Sequence, residues 1–256
     1  MSFKAKMEET AKKKESNIVL ALDFPFRSPE KRNELLVKAQ EVLEQTRAYV
    51  CAVKINHHLV LPLGTFGGVQ KLVTQIHEKG LLAIMDCKAN DIGATNQVIA
   101  EYYYTAGFDA LIANPFVGWE EGLKPIFDTA YKLQCGVVLL AYMSHKGASE
   151  GYGQTIYDEK TGVKTPQYVS FAKKALKWNA DGVVVGATYP EKIREIREIL
   201  GENVPIYSPG IGAQGGVAET ALKAGACYLI VGRDITLAQN PREAAKRLCS
   251  AIRHVR

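Results

Sequence analysis

Leu81-Leu82-Ala83-Ile84-Met85-Asp86-Cys87-Lys88-Ala89-Asn90-Asp91-Ile92-Gly93-Ala94-Thr95 is a short apolar run that ends in an acid, a base and a second acid. The run reads as a buried strand over 81–86. A helical pattern follows over 95–106 and stops at Gly107, where a left-handed terminal residue is needed. Strand, turn and helix together make one βα unit. Side chains alternate faces along a strand, so Asp86 and Lys88 point the same way and Cys87 the other. A carboxylate and an ammonium side by side are costly to desolvate unless each neutralises the other. Taken alone, the pair suits either a salt bridge closing a strand end or a catalytic site. Asp91 and the rest of the chain favour the second.

Outward from this stretch the same unit recurs. Short β-branched runs lie at 18–22, 49–55, 81–86, 110–113, 137–143, 182–186, 205–208 and 228–232. Helical patterns separate them: one opening at Ser28-Pro29-Glu30, with Ser at the cap and Pro in the first turn, then 69–79, 95–106, 121–133, 166–178, 190–200, 217–224 and 241–254. Gly80, Gly107, Gly201 and Gly225 each fall just past a helix. Eight successive units in 256 residues, with no Pro/Ser-rich linker, argue for one α/β domain, a closed (β/α)8 TIM barrel, over an open doubly wound sheet. The barrel is expected over 17–256. Residues 1–16, rich in Lys and Glu, are expected to form a solvated leading helix or a frayed arm.

Composition narrows the class. Hydrophobic content of 47% and charged content of 23% are those of a soluble globular protein. The longest apolar runs, such as 136–143, fall far short of the ~20 residues that span a bilayer, so no membrane association is expected. Residues 1–15 lack the apolar core of a secretory signal. The net charge of +5 is interspersed, and the one basic triplet, Lys12-Lys13-Lys14, reads as solvated surface, not a nucleic-acid stripe. A mild positive balance suits a phosphorylated substrate. Cys51, Cys87, Cys135, Cys227 and Cys249 have no CxxC spacing and sit mostly in apolar runs, as expected of a reducing, cytoplasmic compartment.

In a barrel of this kind the active site lies at the carboxyl ends of the strands. Polar residues gather there: Asp23 after the first strand, Lys54 on the second, Asp86 and Lys88 on the third, Ser144 after the fifth. The segment 144–165, with Gly147, Gly151, Gly153 and Gly162, is expected to be a long non-helical lid or binding loop in which Asp158-Glu159-Lys160 is solvated charge. After the seventh strand comes Pro209-Gly210-Ile211-Gly212-Ala213-Gln214-Gly215-Gly216, and the eighth ends in Gly232-Arg233. Loops at these two places frequently bind phosphate through backbone N–H groups, and a guanidinium adds a bidentate partner. Residues 210–215 also match G-x-G-x-x-G, with Asp234 some distance on, but a dinucleotide turn should open its unit whereas six units precede this one. His57-His58 lacks a third ligand at metal spacing and reads as loop; no metal site is expected. Tyr102-Tyr103-Tyr104 lies in a helical stretch and reads as packing of a helix or an interface, not as a ring-cofactor site. No serine sits in a nucleophile elbow, and no triad is complete.

Four motifs, Asp86-x-Lys88-x-x-Asp91-Ile92-x-x-Thr95, Met143-Ser144-His145, Pro209-Gly-Ile-Gly-Ala-Gln214-Gly-Gly and Gly232-Arg233, occur in this order. With them the chain resembles the orotidine 5′-monophosphate decarboxylase family over nearly all its length after the first fifteen residues. The resemblance implies a homodimeric barrel without metal or organic cofactor that converts orotidine 5′-monophosphate to uridine 5′-monophosphate and CO2, the last step of de novo pyrimidine synthesis. It implies that Lys88 protonates C6 as CO2 leaves, and that Asp86 lies against the substrate carboxylate. Lys54 and Asp23 would hold the ribose hydroxyls and the charge network. Asp91, Ile92 and Thr95 would enter the partner subunit's site. Ser144 would read the pyrimidine amide edge, Gln214 would bridge base and phosphate, and Arg233, with Pro209 and Gly232 beside it, would grip the phosphate. Metal-dependent relatives, the keto-gulonate-phosphate decarboxylases and hexulose-phosphate synthases, share Asp-x-Lys-x-x-Asp but carry a glutamate on the second strand, where this chain has Lys54. A non-catalytic phosphate-binding barrel would have no need of Lys88 beside Asp86.

Overall fold

The apolar runs form strands buried on both faces, as parallel sheets require. In the computed structural model, which describes residues 1–25, 28–159 and 162–255, these are β1 (Ile18–Ala21), β2 (Ala52–Asn56), β3 (Leu82–Ala89), β4 (Ala110–Ala113), β5 (Gly136–Tyr142), β8 (Gly182–Val185), β9 (Ile206–Pro209) and β10 (Tyr228–Val231). All are parallel and close in the order β1-β10-β9-β8-β5-β4-β3-β2. The fold is a (β/α)8 TIM barrel. Alternation along each strand makes two apolar layers. Val19, Ala21, Ile84, Ile112, Val138, Leu140, Val184 and Ile230 fill the barrel, while Leu20, Val53, Met85, Leu111, Leu139 and Val183 face the helices.

The outer layer is α2 (Arg32–Thr46), α3 (His57–Leu63), α4 (Gln70–Glu78), α5 (Gly93–Thr105), α6 (Lys124–Leu133), α8 (Gln167–Lys177), α9 (Pro190–Leu200), α10 (Ala218–Lys223), α11 (Arg233–Thr236) and α12 (Pro241–Ile252). The four terminal glycines adopt the expected left-handed backbone, with φ of 65° at Gly80, 101° at Gly107, 54° at Gly201 and 113° at Gly225. Among the described residues no helix is long and apolar enough to cross a membrane.

Three segments differ from expectation. The segment 144–165 is not irregular throughout: it holds α7 (Ala148–Gly151) and an antiparallel hairpin of β6 (Thr155–Asp158) with β7 (Val163–Pro166). Of its charged triplet, Asp158 and Glu159 are exposed, and Lys160 lies outside the described residues. His57-His58 is not loop but the first turn of α3, because Asn56 caps it.

The third difference is the leading segment. It takes the first of the two expected forms, a leading helix, α1 (Phe3–Lys14), but that helix is not wholly solvated and packs across the amino-terminal end of the barrel. Ser2 caps it through its hydroxyl to Ala5 N–H. Phe3, Met7 and Ala11, four apart and so on one face, are buried against the barrel interior. Its lysines reach the carbonyls just past other helices: Lys4 Nζ to Asn203 O at 2.8 Å, Lys6 Nζ to Gln134 O at 3.1 Å and Lys14 Nζ to Lys79 O at 2.8 Å. Helix carboxyl ends carry partial negative charge and unsatisfied carbonyls, so cations there are favourable.

Candidate active site

At the opposite end, the strands open into a cavity of about 540 Å³. Lys54 enters it from β2 and Asp86 and Lys88 from β3, while Asp23 follows β1. Cys87 faces away, its Sγ toward Ile112 O, and burial pushes its thiol up to about 12. β3 runs on past the expected end to Ala89, with a register shift between Met85 and Ala89. Within that irregularity Lys88 takes φ 51°, a left-handed conformation uncommon in side chains other than Gly, Asn and Asp.

The four charges alternate in sign. Asp86 Oδ2 accepts from Lys54 Nζ at 2.6 Å and Oδ1 from Lys88 Nζ at 2.7 Å; Asp23 Oδ1 lies 3.8 Å from Lys54 Nζ. The side chains of Lys54 and Asp86 are 6% and 9% exposed, against 37% for Lys88. Burial alone would raise the Asp86 carboxyl, but the two ammoniums outweigh it and hold the group at about 2. Burial opposes the charge on Lys54 too, yet Asp86 and Asp23 raise its affinity for a proton. Asp86 is therefore an anion held between the Lys54 and Lys88 side chains. Lys88 spends one of its three N–H donors on it and keeps two for the cavity.

The cavity is also lined by Ser144, Pro209, Gly210, Gln214, Gly232 and Arg233. Gly210 has φ 95°, and a Cβ there would lie 2.8 Å from Gln214 Oε1 and 2.9 Å from Ser144 Cβ. Gly212, at φ 67°, leaves room for the Asp234 carboxylate, whose Oδ1 accepts from Ala213 N at 2.9 Å. Asp234 is thus a brace for the loop, and the residues of the G-x-G-x-x-G match make a closed turn after β9, in which Gly216 N donates to Gly210 O at 3.0 Å.

Asp91, Ile92 and Thr95 do not line this cavity. They are exposed at the start of α5, with Ile92 68% accessible. Asn96 holds their turn by donating to Asp91 O at 2.5 Å and Gly122 O at 3.0 Å. Exposed Phe66 and Tyr102 form an edge-on ring pair at 5.8 Å, with Tyr102 on the same helix.

Lining residues that the sequence reading did not assign to the site are Asn56, His58, Pro25 and Leu237, with Ile112, Leu140, Val184 and Ile230 as an apolar floor. Asn56 had a usable signal: it lies two after Lys54 and so on the same strand face. Among the described residues, no three His, Cys, Asp or Glu side chains gather at metal-binding spacing.

The pattern of the family described as orotidine 5′-phosphate decarboxylase / HUMPS matches residues 16–248. An orotidine 5′-phosphate decarboxylase of Thermococcus kodakarensis is 36% identical over 242 residues, covering 94% of this chain and 99% of that protein. The crystal structure of the Methanocaldococcus jannaschii orotidine 5′-monophosphate decarboxylase with inhibitor BMP superimposes with a TM-score of 0.76 at 33% identity, over 92% of this chain and 97% of that one. A putative Toxoplasma gondii homologue, at 23% identity and a TM-score of 0.86, covers 99% of this chain and 96% of its own, a likeness of fold. Matched along most of its length by this pattern and by such relatives, the chain belongs to the orotidine 5′-phosphate decarboxylase / HUMPS family.

Proposed function

We propose that this chain decarboxylates orotidine 5′-monophosphate to uridine 5′-monophosphate and CO2, the last step of de novo pyrimidine synthesis, with Lys88 as proton donor and without a metal or organic cofactor. The observation that carries this reading is the Lys54–Asp86–Lys88 array facing a cavity that Gln214 and Arg233 also line. The charges are paired with each other, yet Lys88 keeps free donors where a substrate would lie.

The C6–carboxylate bond breaks and its electron pair stays on C6, where no adjacent carbonyl delocalises it. The Lys88 ammonium stabilises that charge as it forms and then gives C6 its proton, leaving a neutral amine that solvent reprotonates. Asp86 lies against the departing carboxylate. Two unit charges 4 Å apart interact by about 4 kcal/mol at an effective dielectric of about 20, and here the two lysines offset part of that repulsion. Enzymes in general supply ~8–23 kcal/mol, so ground-state repulsion is the minor contribution. Lys88 and the binding energy of the phosphate supply most of it. Arg233, Gln214 and the backbone around Pro209 and Gly232 hold the phosphate, Asp23 and Lys54 the ribose hydroxyls, and Ser144 the pyrimidine amide edge.

A homodimer completes the site, with Asp91, Ile92 and Thr95 entering the partner's cavity. Their exposure, their absence from this chain's own cavity lining and the exposed Phe66–Tyr102 pair, with Tyr102 on the same helix, support that arrangement. The cofactor-free reading is supported by Lys54, whose ammonium occupies the space between Asp23 and Asp86. The cysteines, spread along the chain with no CxxC spacing, suit a cytoplasmic setting.

Loss of orotidine 5′-monophosphate absorbance measures turnover directly. Lys88→Ala should abolish turnover while a substrate analogue still binds, and EDTA should leave the native rate unchanged. Appreciable activity in Lys88→Ala removes the proton-donor role; inhibition by EDTA favours the metal-dependent relatives.

A further inference from the structure

Asn56 ends β2 and begins α3, and its amide does two jobs. Oδ1 accepts from His58 N at 2.9 Å, satisfying a first-turn donor of α3. Nδ2 donates to Asp23 Oδ1 at 2.7 Å. The same carboxylate oxygen lies 3.8 Å from Lys54 Nζ, so both of its neighbours come from one face of β2. The other oxygen, Oδ2, stands beside Gly232, where a Cβ would meet it at 3.1 Å. Asp23 follows the strand and is anchored by no helix of its own. An acid so placed can rotate about its side-chain bonds. Tying one oxygen to a residue that is itself locked as a helix cap fixes where the other oxygen faces. Asparagine suits this place because it is a good cap and a neutral donor, adding no charge to a balanced set of two acids and two bases.

We propose that Asn56 is a positioning residue that orients the Asp23 carboxylate toward a ribose hydroxyl, so that recognition of ribose depends on the capped start of α3. This rests on the assignment of Asp23 to the ribose under the proposed function.

Asn56→Ser keeps an N-cap residue and removes the donor that reaches Asp23. Binding of uridine 5′-monophosphate and its 2′-deoxy and 3′-deoxy counterparts is measured for the native protein, Asn56→Ser, Asp23→Asn and the double variant, alongside kcat and KM. Asn56→Ser should weaken uridine 5′-monophosphate about 10-fold, the loss of about 1.4 kcal/mol expected when a hydrogen bond to a charged group goes. Its preference over one of the deoxy nucleotides should shrink by the same factor, with an unchanged melting temperature. In the Asp23→Asn background the serine should cost nothing further. If Asn56→Ser keeps the full preference, or its loss adds to that of Asp23→Asn, the positioning role falls while the decarboxylase reading stands. A native protein that neither binds uridine 5′-monophosphate nor turns over its 6-carboxylated precursor removes both.

Discussion

Each oxygen of Asp86 takes one ammonium, and this keeps the residue negatively charged well below neutral pH. Its carboxyl falls from an ordinary value near 3.8 to about 2, so the folded state binds its proton less tightly than the unfolded chain does. The stabilisation is therefore complete above the unfolded value and is lost as pH drops through about 4 to 2. At about 1.4 kcal/mol per tenfold change in proton affinity, the group contributes about 2 kcal/mol. Urea midpoints taken between pH 2 and 5 should fall more steeply for the native chain than for Asp86→Asn. Equal slopes would show that the acid sensitivity arises elsewhere. The substitution also leaves the buried Lys54 ammonium with Asp23 alone, 3.8 Å away, so Asp86→Asn should be less stable than the native chain at pH 7.

Among the elements, the strands and their terminal glycines were legible because they follow local rules: β-branched runs, then a left-handed stop. Asp86 and Lys88 were legible as a same-face pair for the same reason. Asn56 and α3 were less so, since a cap is recognised by what it bonds to, and Asn56 donates to a residue 33 positions away. The hairpin of β6 and β7 was hidden by the glycines around it. In α1 only Phe3, Met7 and Ala11 are apolar and buried, one per turn amid lysines and glutamates, a stripe too thin to separate from solvated helix without its partner. That partner includes Gly136 at the start of β5, where a Cβ would come within 2.5 Å of Phe3 Cβ. Gly136→Ala should cost about 1–3 kcal/mol by overpacking, and most of the cost should vanish in a Phe3→Ala background. Chemical denaturation of the four species forms the cycle. Additive losses would mean the two residues do not meet.

At the scale of the molecule the barrel divides its labour between its ends. The carboxyl end of the strands carries the charges, the glycine turn and the cavity; the amino end carries α1. Such a division lets the chemistry vary without disturbing what keeps the strands together. The amino end is where α4, α6 and α9 finish, and α1 reaches the carbonyls just beyond each of them through Lys14, Lys6 and Lys4. A helix of twelve residues would fray within microseconds on its own. Here it stoppers the lumen, and lifting it would wet the inner strand faces and untie several helices together. Fraying and global unfolding then become one event. Amide hydrogens of α1 should exchange with deuterium as slowly as those of β1 and β10, a comparison that peptide-level mass spectrometry makes directly; rapid labelling of α1 over a protected barrel would show that the stopper leaves without the walls coming down.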